Sequence, residues 1–342
     1  MTSSFIFSLI AIIYLKILNS LQIKTKFCLD RVSLSEKHKL FTNLKKDVPL
    51  SGFFFFLPVI FYLFFLDNAL LTFTCFLFFT LGFLSDIKKI SSPKNRLLLQ
   101  IIILTIYISF QESLTLDLRI ESLNVILEND FFRIITLSFF LLVLVNGFNF
   151  IDGVNSLCSL NFLIVLIFLY LLGNDLNDFQ FLYQIKILII FVIVFVIFNF
   201  FGKNFLGDGG AYGISFLIGL LSIQLSLQST NLSPYFIANL LWYPAFENLF
   251  SIIRRTVYKR KNYLADNYHL HQLLFKYLSK NKFFKKKYLI SSFTGIFINF
   301  YLIIIYMIGY VFYSKTNIQV FLMLISVFIY IVVYILLLKK IR

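Results

Sequence analysis

Long apolar runs separated by short polar stretches dominate the chain. A helix that crosses a bilayer needs about 20 mainly apolar residues. Eleven runs approach that requirement, near 4–23, 50–66, 69–84, 97–111, 131–146, 157–173, 184–200, 211–228, 235–250, 288–312 and 318–338. They are apolar on all sides, as helices surrounded by lipid are. The pattern predicts an all-α polytopic membrane protein of about eleven transmembrane helices, forming one integral-membrane domain over 1–342. The start, Met1-Thr2-Ser3-Ser4, has no basic region, so the first run reads as a retained span and not as a cleaved signal.

Composition sharpens this picture. The 342 residues are 59% hydrophobic and 14% charged, with a mean hydropathy of +0.87. A soluble domain is about 45–50% apolar and 25% charged. Five Pro, 13 Gly and 3 Cys exclude collagen-like, disordered and disulfide-scaffold classes.

Charge sets the orientation. Loops 24–49, 85–96, 147–156, 201–210 and 251–287, with the tail 339–342, carry 26 of the 31 Lys and Arg residues. That asymmetry marks the cytoplasmic side, placing the N-terminus outside and the C-terminus in the cytoplasm. The net charge of +15 then meets anionic lipid headgroups and implies no nucleic acid. Lys280, Lys282, Lys285, Lys286 and Lys287 form such an anchor before a span.

The polar chemistry collects on that same face, in five clusters. Gly82-Phe-Leu-Ser85-Asp86 runs through Lys88 and Lys89 to Arg96, where a planar guanidinium could grip phosphate; an interfacial cap is the plainer alternative. Asn146, Asn149 and Asp152, three apart, share one helix face, and Gly153 and Asn155 follow. A C-terminal cap explains the glycine but not the whole polar stripe at the mouth of an apolar span. Gly207-Asp208-Gly209-Gly210 is either a tight turn or a hard-oxygen cation site with close backbone approach. Glu247, Arg254 and Arg255 precede Asp266-Asn267-Tyr268-His269-Leu270-His271-Gln272, whose two histidines project together only if the loop is not helical. The first inner loop contributes Asp30, Lys37, His38 and Pro49-Leu50-Ser51-Gly52.

In this order, from Lys37-His38 to His269/His271, the five clusters resemble the polyprenyl-phosphate N-acetylhexosamine-1-phosphate transferases, glycosyltransferase family 4. The Asp-x-x-His-x-His ending at 266–271 is similar to the branch that begins O-antigen and other surface polysaccharides. The resemblance implies a reaction between UDP-N-acetylhexosamine and undecaprenyl phosphate that releases UMP, in the bacterial inner membrane. It also implies Mg²⁺ as cofactor, with Mn²⁺ as a substitute. By the same resemblance Asp208 holds the metal with Asn149 as a second oxygen ligand, and Asp86, Asp152 and His269 are the catalytic candidates. Arg96 and His269 would grip phosphates, while His271 and Arg255 would line the sugar-diphosphate side. Asn155 would read the nucleotide, Asn146 would join the substrate site, and Lys37 or His38 would face the lipid phosphate. A homodimer is expected from family analogy alone.

Three departures from the family pattern stand out. Ser85-Asp86 replaces two adjacent acids, Lys89 replaces a third acid or amide, and Gln272 replaces a second consecutive histidine. Ser85 cannot serve as a base. A phosphate monoester has a second pKa of about 6, so the acceptor needs no dedicated base, and Asp86 is expected to orient the acceptor or its cation. Two rival readings remain: a transporter for a polyprenyl-linked sugar, and a silent scaffold of a glycan-assembly complex. The first calls for ionisable residues at the bilayer centre, yet the spans hold almost none apart from Lys16.

Overall fold

A computed structural model describes residues 2–31, 47–115, 117–175, 178–257, 268–280 and 286–341. Lys37, His38 and Asp266 lie outside the described residues. Helix α1 spans Thr2–Thr25 and leads to a two-residue strand, β1 (Leu29–Asp30), paired antiparallel with β2 (Val48–Pro49). Then follow α2 (Gly52–Phe64), α3 (Ala69–Asp86), α4 (Pro93–Ser109), α5 (Glu121–Leu127), α6 (Asp130–Ile151), α7 (Leu157–Asp175) and α8 (Phe179–Phe200). The remainder is α9 (Gly207–Gln228), α10 (Pro234–Val257), α11 (Leu270–Lys280), α12 (Lys287–Val311) and α13 (Thr316–Ile341). The protein is an all-α polytopic membrane protein.

All eleven predicted runs are helical, but among the described residues nine helices are long and apolar enough to span. Helix α2 has 13 residues and α4 has 17. At 1.5 Å per residue they reach about 20 and 26 Å, short of a core of about 30 Å. Both begin on the polar face where the site assembles. Helix boundaries follow local chemistry. Asn68, Asn129 and Asp178 each accept a hydrogen bond from a first-turn N–H, and Ser92 does so ahead of Pro93 at the first helical position.

Helix α9 is the most enclosed of the nine spans and α1 the least. Glycine lets neighbouring backbones close on the start of α9. A Cβ on Gly82 of α3 would stand 2.2 Å from the Asp208 carbonyl oxygen, and one on Gly52 of α2 would stand 2.3 Å from that of Leu206. The chain ahead of α9 is stitched to β2 and the start of α2: Phe205 N–H donates to Pro49, Ser51 N–H to Phe205, and Gly52 N–H to Leu206. Elsewhere buried amides join helices, as Asn161 and Asn239 do by donating to Asn299 and Gln319.

Candidate active site

Leu206 precedes α9 and offers no side-chain cap. The first N–H groups of a helix have no intrahelical partners, and here α3 supplies them. The Asp86 carboxylate accepts from Asp208 N–H at 2.9 Å and Gly209 N–H at 3.0 Å. Gly207 carries φ +73, a conformation glycine adopts without strain, and a Cβ there would meet Asp86 Oδ2 at 2.7 Å. The glycines around Asp208 thus serve this approach of α3 to α9.

Asp208 faces α4. Arg96 donates through one guanidinium nitrogen to Asp208 Oδ2 at 2.6 Å and to the Ser85 hydroxyl at 2.7 Å. Ser85 in turn donates to the same carboxylate oxygen at 2.6 Å. Both ionic side chains keep about a quarter of their surface, 21% for Arg96 and 26% for Asp208. Asp208 Oδ1 accepts no hydrogen bond among the described residues. Asp152, at the C-terminus of α6, completes a corner of three carboxylates. Its pKa is pushed well above the usual carboxylate range, first by burial and then by the charges of Asp208 and Asp86, against a hydrogen bond from Gly207 N–H.

The polar stripe on α6 divides its tasks. Asn146 donates to Gln100 of α4 at 2.7 Å and back to Leu142, so it ties α4 to α6. Asn149 donates to the Tyr212 hydroxyl at 3.5 Å, one turn into α9 from Asp208, and its carbonyl oxygen has no partner among the described residues. Asn155 is buried against α12: its N–H donates to Ser291 and its amide to Ser292. Its side-chain oxygen is buried without a hydrogen-bond partner among the described residues.

The histidine segment is helical from Leu270 onward, so the condition set for the two side chains to project together is met only at His269, which precedes the helix. The two rings still meet, because His269 precedes the helix and His271 lies in its first turn; their centroids are 5.5 Å apart and their planes 14° from parallel. Gln272 accepts from His269 N–H, closing that turn. His269 Nδ1 lies 2.9 Å from Oε1 of Glu247, a carboxylate with no exposure. Tyr330 of α13 donates to Glu247 Oε2 at 2.8 Å. The Phe150 ring lies 5.5 Å from that of His269, and the Arg255 guanidinium 5.7 Å from Phe150. His271 is wholly buried, both ring nitrogens are unpartnered among the described residues, and burial, then the neighbouring His269, lowers its pKa to about 3. A Cβ on Gly153 would stand 2.5 Å from its Nε2, so the histidine corner abuts the residue after Asp152.

Asp86, Arg96, Asp208 and Asp152 therefore converge on one end of the bundle, with His269 and His271 beside them. Sequence reading gave no role to Ser85 beyond its departure from the family pattern, or to Glu247, an acid within an apolar run. It passed over Gln100 and Tyr330, which carry no sequence signal. Among the described residues no three His, Cys, Asp or Glu side chains form a group that could hold a metal ion.

Residues 68–226 match the family model described as glycosyl transferase family 4. The match spans a little under half of the chain, takes in Asp86, Arg96, Asn149, Asp152 and Asp208, and ends before Glu247 and the histidine corner. Comparison with curated proteins found no match.

Proposed function

We propose that this protein is a membrane-embedded sugar-1-phosphate transferase, moving N-acetylhexosamine-1-phosphate from a UDP-sugar to undecaprenyl phosphate on the cytoplasmic face. The observation that carries the reading is the Arg96–Asp208 pair at the capped start of α9, inside the segment that matches glycosyl transferase family 4. The acceptor phosphate oxygen attacks the sugar-bearing phosphorus, the bond from that phosphorus to the UMP oxygen breaks, and UMP leaves. Three anionic phosphates must be held together for this, so positioning and charge neutralisation supply most of the catalysis.

The chain's own groups divide that work. Because Asp86 takes the N–H groups of Asp208 and Gly209, the start of α9 is not an open phosphate cradle. Phosphate oxygens fall instead to Arg96, and to His269 Nε2 when both ring nitrogens carry protons. Ser85 donates its proton to Asp208, so it is no base, and an acceptor already dianionic above pH about 6 requires none. Asp208 Oδ1 and the Asn149 carbonyl oxygen are hard donors with unused lone pairs. Such a set suits Mg²⁺, which usually takes one or two protein oxygens and completes its shell with phosphate and water. Bound there, the cation would neutralise charge on the diphosphate.

The test is UMP release from a panel of UDP-sugars by detergent-solubilised protein with undecaprenyl phosphate and Mg²⁺. Release from one donor that needs lipid and metal and disappears in Asp208→Ala is the expected result. Folded protein that releases no UMP from any donor would overturn the reading in favour of a silent scaffold. The observation favouring that alternative is Ser85, a neutral residue in a place where the family carries an acid.

A further inference from the structure

We propose that Tyr330, on the last helix, is a positioning residue that holds the His269 ring through Glu247 and so fixes which ring nitrogen faces the substrate. The inference rests on the transferase reading for its kinetic consequence, but its structural content stands apart from it. Glu247 receives three donors: His269 Nδ1 at 2.9 Å and Leu270 N–H at 3.3 Å on Oε1, and the Tyr330 hydroxyl at 2.8 Å on Oε2. A carboxylate surrounded in this way can only accept, so the proton between Glu247 and His269 resides on Nδ1. That leaves the His269 Nε2 lone pair, or its proton when the ring is charged, on the side of the ring turned away from Glu247. Nε2 has no hydrogen-bond partner among the described residues.

All three groups are buried, with relative exposures of 0% for Glu247, 2% for Tyr330 and 4% for His269. A buried carboxylate that loses one donor costs more than an exposed one, because no water replaces the partner. The brace extends one turn further along α13. Tyr334 stacks on Tyr330, with planes 9° apart, and its hydroxyl accepts from Arg254, whose guanidinium also donates to the carbonyl of Tyr268. Helix α13 thus holds both the residue before His269 and the carboxylate behind it. It reaches the site from well outside the segment that the family model matches.

Tyr330→Phe removes one oxygen and keeps the ring packing against Phe246 and Phe250. The chain has three histidines, so ring-¹⁵N-labelled protein gives few signals, assigned with His38→Gln and His271→Gln. We expect wild-type His269 to show a protonated Nδ1 and a pyridine-type Nε2. In Tyr330→Phe the tautomers should mix, with kcat falling about tenfold and KM for the UDP-sugar changing less than twofold. Glu247→Gln, which lets an amide face the ring, should mix them further. An unchanged His269 tautomer in both folded variants would overturn the proposal, whatever the activity. Altered tautomers with wild-type kcat would overturn the kinetic role. If wild-type protein turns over no donor, the transferase reading fails while the ¹⁵N spectra still decide the role of Tyr330.

Discussion

Asp86 closes the N-terminus of the helix that carries Asp208, accepting from the backbone N–H groups of Asp208 and Gly209. It does for α9, from another helix, what Asn68 does for α3 from the adjoining position. Both carboxylate oxygens are engaged, so Asp86 governs where Asp208 stands. Asp86→Asn keeps the shape but has one accepting oxygen, leaving one N–H opposite an amide donor. The loss of one buried hydrogen bond costs about 1–3 kcal/mol. We expect a lower midpoint of thermal inactivation and at least a tenfold fall in turnover, with a pH profile of unchanged shape between pH 6 and 9. Full stability with abolished turnover would instead put Asp86 in contact with substrate.

Ser85 offers a second test, because its hydroxyl both receives from Arg96 and donates to Asp208. Ser85→Asp creates two adjacent acids at 85 and 86 but removes the donor and sets a second negative charge beside Asp208. Like charges at this range repel by about 1–4 kcal/mol at the effective dielectric of a half-exposed site. Thermal inactivation in chelator should therefore occur at lower temperature than in the wild type, and millimolar Mg²⁺ should raise the variant's midpoint more than the wild type's. Equal responses to Mg²⁺ would show that no cation binds next to Ser85.

The architecture was legible in the sequence because apolar length and polar interruption are one-dimensional signals. The eleven runs became eleven helices, and the charge-rich loops after α3, before α9 and after α10 mark the ends that meet. The residues of the Arg96–Asp208 pair could be named, since an acid among glycines and an arginine among lysines are conspicuous. Their partners could not. That Asp86 caps α9 depends on the close approach of Gly82 to Asp208, a three-dimensional fact. The contacts of Asn155 with Ser291 and Ser292 of α12 were equally invisible, since they join residues more than 130 positions apart. Tyr330 is one of 19 tyrosines, and only packing against Glu247 distinguishes it. The short α11 carries little one-dimensional signal, because its 11 residues are too few for an apolar span and its first turn opens at the histidines.

Asp152 predicts a pH dependence of stability. Burial and the charges of Asp208 and Asp86 raise its folded-state pKa well above 3.8. Above about pH 4 the unfolded chain has released this proton while the folded protein retains it, so stability falls as pH rises toward the folded value. Asp152→Asn has no proton to lose, and its carbonyl oxygen still accepts from Gly207. In metal-free buffer the variant should gain stability on the wild type as pH rises from 5 to 8. Parallel stability curves would mean that Asp152 ionises freely.

His271 has the opposite sign. Its ring is buried and neutral, with a folded-state pKa of about 3 against 6.5 in an open chain. Above pH 6.5 both states are neutral and its contribution is constant. As pH falls below 6.5 the unfolded chain takes up a proton that the folded protein refuses, so stability drops progressively toward pH 3. For these two values the loss between pH 6 and 4.5 is about 2 kcal/mol. His271→Gln carries no titrating ring, so its stability in detergent should decline less over that interval, after subtraction of the shared acid dependence of the other carboxylates. On the transferase reading proposed above, the variant should also bind UDP-sugar more weakly, because the ring that abuts Gly153 and stacks on His269 is gone. Equal pH slopes in variant and wild type would show that the folded protein protonates the His271 ring as readily as the unfolded chain does.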